Sequence, residues 1–261
     1  MKIALMDSGI GLLAAAAAVR RLRPDADLVL SSDPASMPWG PRTPEDVTAR
    51  ALAVARAAAE HRPDALIVAC NTASVRALGA LRAELEPALP VIGTVPAIKP
   101  AAAAGGPVAI WATPLTTGSP YQRGLIRDFG GSAAVTEVPC PGLADAVQDA
   151  DEAGIEKALA AAAALTPPDV RAVVLGCTHY ELVAERIRDV VQQPGRPPVV
   201  LHGSAGAVAA QALRRIGAEP APSAEPSAGL AVLLGGHLSE LPQAALAYEE
   251  GRRLAAVSSA R

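Results

Sequence analysis

Two segments, at residues 66–72 and 173–179, repeat one design. Leu66-Ile67-Val68-Ala69-Cys70-Asn71-Thr72 and Val173-Val174-Leu175-Gly176-Cys177-Thr178-His179 each run from an apolar stretch to a cysteine. Polar residues that open a helical pattern follow. A short continuous apolar run suits a strand buried on both faces, as in a parallel sheet. Each segment is therefore expected to deliver a thiol from the end of a strand to the start of a helix.

The same alternation runs from end to end. Strands are expected at Lys2–Met6, Asp27–Ser31, Ala65–Ala69, Val91–Ile92, Val108–Trp111, Ala134–Val138, Ala172–Leu175, Val199–Leu201 and Ala231–Leu234. Helical patterns fall near Leu12–Arg23, Pro44–His61, Ser74–Leu85, Thr117–Phe129, Glu152–Leu165, Thr178–Val191, Ser204–Ile216 and Ser239–Leu254. This is the pattern of an α/β chain with parallel sheets flanked by helices. So many strands are a lot for one sheet in 261 residues. The Pro- and Gly-rich segment Thr94–Pro107 suits a crossing between two lobes, and Gly217–Gly229 reads as a surface linker. The expected division is residues 1–98, completed by 206–261, and residues 99–205.

Composition excludes several classes. The net charge is −3 and aromatics make up 2% of residues, which argues against a nucleic-acid binder. Cys70, Cys140 and Cys177 form no CxxC pair and no even disulfide set, so no structural metal site or secreted framework is expected. The N-terminus meets charge too soon for a signal peptide, and the Ala14–Val19 run is far too short for a membrane span. A cytoplasmic protein that binds no membrane is expected.

In open α/β sheets, ligands bind at the carboxyl ends of strands. Both thiols belong there, as do Asp7 and Ser8 after the first strand and Thr113 and Thr116 after Val108–Trp111. If two lobes face each other, these ends line one cleft holding two thiols, a carboxylate, the His179 imidazole, and hydroxyls and amides from Ser8, Asn71, Thr72, Thr113, Thr116 and Thr178. Such an inventory suits an amino acid, whose carboxylates backbone N–H groups and hydroxyls can hold. A free thiol is only about 3% thiolate at neutral pH, and a helix end lowers its pKa. Matched thiols suit a reaction needing one base and one acid on opposite faces of a substrate. Cys140, between two prolines, reads as core, and His61, His202 and His237 have no supporting motif. Asp7 would also serve as a turn residue, and Thr113 or Thr116 as a helix cap.

Asp7-Ser8-Gly9-Ile10-Gly11, Pro38-Trp39-Gly40, Cys70-Asn71-Thr72-Ala73, Pro90-Val91-Ile92-Gly93 and Gly176-Cys177-Thr178-His179-Tyr180 occur in the order seen in glutamate racemases. The chain thus resembles the cofactor-independent Asp/Glu racemase superfamily over roughly residues 3–216. The resemblance implies two similar α/β lobes with the active site in the cleft between them. It implies racemisation of L- and D-glutamate, supplying D-glutamate for peptidoglycan, without a cofactor or metal and by a homodimer. Cys70 would act on the D-enantiomer, assisted by Asp7, and Cys177 on the L-enantiomer, assisted by His179. Ser8, Trp39, Gly40, Asn71, Thr72 and Thr178 would hold the substrate. The chain departs from the family pattern at Leu12, Trp39, Gln148 and Glu181, where the family usually has Gly, Tyr, a nearby Glu and Pro. These changes leave both thiols in place, so an aspartate or other acidic amino-acid racemase remains an alternative. A dinucleotide-binding protein is another, because Gly9-Ile10-Gly11-Leu12-Leu13-Ala14 fits G-x-G-x-x-A, with Asp33 after the second strand.

Overall fold

The structure is a computed structural model and describes residues 1–226 and 229–258. The chain divides into two compact units, Met1–Val95 with Ala205–Arg261, and Pro96–Ser204.

The first unit runs β1 (Lys2–Asp7), α1 (Leu13–Leu22), β2 (Asp27–Ser32), α2 (Pro44–Ala59), β3 (Ala65–Val68), α3 (Asn71–Arg76), α4 (Leu78–Leu85) and β4 (Val91–Gly93). The second contains α5 (Ile98–Ala103), β5 (Val108–Ala112), α6 (Pro120–Phe129), β6 (Val135–Pro139), α7 (Leu143–Asp149), α8 (Glu152–Leu165), β7 (Ala172–Leu175), α9 (Ala184–Val191) and β8 (Val200–His202). The chain then returns to the first unit with α10 (Ala205–Arg215), β9 (Leu230–Leu234), β10 (His237–Ser239) and α11 (Glu249–Ser258).

Each unit is built on the same parallel core. In the first the strand order is β10-β9-β2-β1-β3-β4, and in the second β6-β5-β7-β8. All pairs are parallel except β9 with β10. The four strands of the second unit therefore follow the order of β2-β1-β3-β4. In both, the chain leaves the central strand to one side and later returns on its other side. This topological switch, between β1 and β3 or between β5 and β7, opens a crevice at the strand carboxyl ends. Asp7 ends β1 and Cys70 follows β3; Thr113 follows β5 and Cys177 follows β7.

Burial explains why these runs are strands. Every residue of β3, β5 and β7 is buried, as two-sided coverage by helices requires. Small side chains make close helix packing possible: Ala14 through Ala18 of α1 are all buried, and α1 packs against α10 and α11. The helices α2 and α6 start on capping side chains. Thr43 accepts the Asp46 N–H, Ser119 accepts the Gln122 N–H, and a proline occupies the first position of each.

Local structure departs from expectation in four places. The pattern read as one helix from Thr178 to Val191 is a 3₁₀ turn, Thr178–Val183, followed by α9. The helix expected over Ser239–Leu254 is strand β10, a 3₁₀ turn at Gln243–Ala247, and α11. Pro242 lies within that span and breaks it, because an interior proline has no N–H to give the helix. Helix α5, within the expected crossing Thr94–Pro107, and helix α7 have no counterpart among the expected helices. Short length hides them: α5 has 6 residues and α7 has 7, bounded by Gly142 and Ala150 at positive φ.

Candidate active site

In the first unit, the end of β3 is tied down from two sides. The Ala69 N–H donates to the Met6 carbonyl at 2.8 Å. The Val68 carbonyl accepts from Thr94 Oγ1 at 2.7 Å and from Ser74 Oγ at 3.2 Å. These bonds fix Cys70, the residue before α3, in a buried position beside Asp7. Asp7 is itself fully buried, and its Oδ1 accepts the Ser8 N–H at 2.7 Å.

The helix-end argument predicts a lowered thiol pKa here, and the structure reverses it. Burial pushes the Cys70 thiol well above its usual range, and the Asp7 charge and hydrogen bond push it the same way. The N–H groups of Ala73 and Ser8 favour the thiolate but do not outweigh this. A fully desolvated site beside a carboxylate dominates the partial charge of one short helix. Cys70 therefore rests as a thiol with the Asp7 carboxylate beside it. This pair can pass a proton to or from a carbon acid without exposing charge to water.

The second unit carries the counterpart. The Gly176 N–H donates to the Trp111 carbonyl at 2.7 Å, and a Cβ on Gly176 would lie 2.7 Å from that same oxygen. Only glycine lets β7 end so close to β5, and this closeness sets the exit toward Cys177. Cys177 is half-buried, and its Sγ lies 3.9 Å from His179 Nδ1. His179 Nε2 lies 3.1 Å from Gln148 Oε1 on α7. Burial lowers the His179 pKa to about 4, so the ring is neutral at pH 7. Beneath it, Tyr180 is buried and donates its hydroxyl to the Cys140 carbonyl at 3.3 Å. Glu181 Oε1 accepts both the N–H and the Oγ–H of Ser204 at 2.8 Å, which anchors the far end of the turn.

The remaining residues singled out by sequence divide between the two units. In the first, Ser8 is buried against Asp7, and Asn71 and Thr72 open α3 directly after Cys70. Trp39 is in the apolar cluster that contains Cys70, and its indole N–H donates to Ser36 Oγ at 2.7 Å. Gly40 follows it, half-buried. In the second, Thr178 is buried beside Cys177, and the Thr113 and Thr116 hydroxyls lie 3.1 Å apart in a turn beyond β5. These two threonines do not cap α6, a role that falls to Ser119. Cys140 is core: burial raises its thiol pKa to about 12. Asp33 is held by Ser36 at 2.6 Å and by Arg50 at 3.5 Å. Gln148, which the sequence marks as a departure from the family pattern, lies against His179, a partner 31 positions away that the sequence does not announce.

Among the described residues, no cluster of three or more His, Cys, Asp or Glu side chains is arranged to hold a metal ion. No helix there is long and apolar enough to cross a membrane.

Comparison with known proteins agrees with this architecture. The Asp/Glu/hydantoin racemase family profile matches residues 12–217. Glutamate racemase of Pseudomonas putida is 34% identical over 225 residues, covering 82% of this chain and 80% of that protein. Glutamate racemase of Granulibacter bethesdensis is 37% identical over 219 residues, covering 81% and 77%. The crystal structure of Escherichia coli glutamate racemase, in complex with L-glutamate and the activator UDP-MurNAc-Ala, superposes with a TM-score of 0.73 at 27% identity, covering 90% of each chain. The chain belongs to the Asp/Glu/hydantoin racemase family of isomerases.

Proposed function

We propose that this chain interconverts L- and D-glutamate without a cofactor, by proton transfer at Cα between Cys70 and Cys177. The observation that carries the proposal is the twinned strand end. Each parallel core presents one thiol at its topological switch, with Asp7 beside Cys70 and His179 beside Cys177. In one direction the Cys70 thiolate, formed by passing its proton to Asp7, removes the α-proton of D-glutamate. The Cys177 thiol protonates the opposite face of the carbanion, leaving a thiolate there and giving L-glutamate. The reverse direction exchanges the roles, with His179 receiving the proton of Cys177. Ser8, Trp39, Gly40, Asn71, Thr72, Thr113, Thr116 and Thr178 are proposed to hold the amino and carboxylate groups. Glutamate is favoured over aspartate because the relatives above are named as glutamate racemases. A cytoplasmic homodimer supplying D-glutamate for peptidoglycan completes the proposal.

Circular dichroism of L- and D-glutamate, and of L- and D-aspartate, with purified protein and no added cofactor tests the substrate. The glutamate signal is expected to decay to zero from either enantiomer. Decay with aspartate alone would move the assignment to that amino acid, and no decay with any of the four would end it.

Asp7→Asn separates the carboxylate's two effects. It removes the base, so turnover is expected to fall by about 10²-fold. It also removes the charge that disfavours the Cys70 thiolate, so thiolate absorbance should begin at lower pH than in the native protein. Undiminished turnover in this variant would dismiss Asp7 as the base.

A further inference from the structure

We propose that Gln148 selects the tautomer of His179, placing its proton on Nε2 and turning the Nδ1 lone pair toward Cys177. The inference rests on the two-thiol reading of the site and assigns a positioning residue to it. Gln148 acts through the imidazole, which contacts both it and the thiol.

A neutral imidazole carries one N–H and one lone pair, and the partner of one nitrogen decides the state of the other. Gln148 Oε1 lies 3.1 Å from Nε2, so that nitrogen donates and Nδ1 is left as an acceptor 3.9 Å from Cys177 Sγ. In this tautomer the thiol proton has a place to go. In the other tautomer, Nδ1–H would point at the sulfur and no proton could be received.

An amide at position 148 also matters because it is uncharged. The ionisable groups around the turn are Asp145 and Asp149 on α7, Cys140 ahead of α7, Cys177, Tyr180 and Glu181 on the turn's own strand exit and turn, and Glu185 and Arg186 at the start of α9. Burial alone accounts for the low His179 pKa. A carboxylate on Nε2 would stabilise the imidazolium and fill Nδ1 with a proton, whereas the amide orients the ring and leaves it neutral.

Ring-nitrogen NMR of the ¹⁵N-labelled full-length protein near neutral pH reads the tautomer directly, with the His179 signals identified by their loss in His179→Asn. A protonated Nε2 and a bare Nδ1 are expected. Gln148→Leu should give a mixed tautomer and lower kcat/KM by about 10-fold, in line with a weakened general base. Gln148→Glu should move the acidic limb of the kcat/KM profile up by about one to three pH units. A proton on Nδ1 in the native protein overturns the proposal, as does Gln148→Leu with unchanged tautomer and rate. The tautomer is read without turnover, so a native protein that racemises nothing defeats the two-thiol reading separately.

Discussion

Alanine at either Cys70 or Cys177 is expected to lower racemisation of glutamate by about 10³-fold or more, the scale on which a positioned acid or base contributes. The loss must be equal in both directions. The two enantiomers have equal free energy in water, so kcat/KM for L-to-D and D-to-L cannot diverge, whichever thiol is removed. Label does diverge. In D₂O the native protein should place one solvent deuterium at Cα of the product, while substrate recovered early keeps its hydrogen, because different groups take and give the proton. With Cys177→Ala, Cys70 can still exchange the α-proton of the enantiomer it faces, so D-glutamate should gain deuterium without inverting. With Cys70→Ala, L-glutamate should do so. Racemisation at the native rate in either variant would end the two-base mechanism. Label appearing equally in product and recovered substrate of the native protein would point instead to a single base.

Much of this site was legible before the fold was known, for a physical reason. A strand buried on both faces must be continuously apolar, so a cysteine followed by polar residues marks where the sheet stops and a ligand can begin. That logic located Cys70, Cys177 and Asp7 and the parallel layers that carry them. It could not weigh desolvation. A helix end argued for an easily ionised Cys70, and the burial that reverses this is made by residues distant in sequence. The departure at Gln148 was visible but its partner was not, since nothing within Leu143–Asp149 announces a histidine 31 positions on. The turn at Thr178–Val183 resembles a helix in pattern, but its end is held by the Glu181 contact with Ser204. One missed element did carry its own signal. Gly235 and Gly236, both at positive φ, form the tight turn between β9 and β10, as a Gly-Gly pair after an apolar run suggests.

Acid should weaken the fold through the same imidazole that lies beside Cys177. His179 titrates near 4 when folded, against 6.5 for an unperturbed histidine. Below about pH 6.5 the unfolded chain binds a proton that the native chain refuses, so stability falls as pH drops toward 4 and levels off beneath it. The full loss is about 3 kcal/mol, of which about 2 kcal/mol should appear between pH 7 and pH 5. Urea unfolding at those two pH values measures it. His179→Asn should remove most of the difference, whatever its effect at pH 7. His202, half-buried and lowered in the same direction, adds a smaller share that His202→Asn isolates. Carboxylates held low, such as Asp25 by Arg23 and Glu84 by Arg56, lose their stabilisation only at more acidic pH and do not confound the window. An unchanged pH 7 to pH 5 difference in His179→Asn would mean that the ring is not held neutral by burial. A role for the ring as proton acceptor would survive that result, because an imidazole of ordinary pKa is still mostly neutral at pH 7.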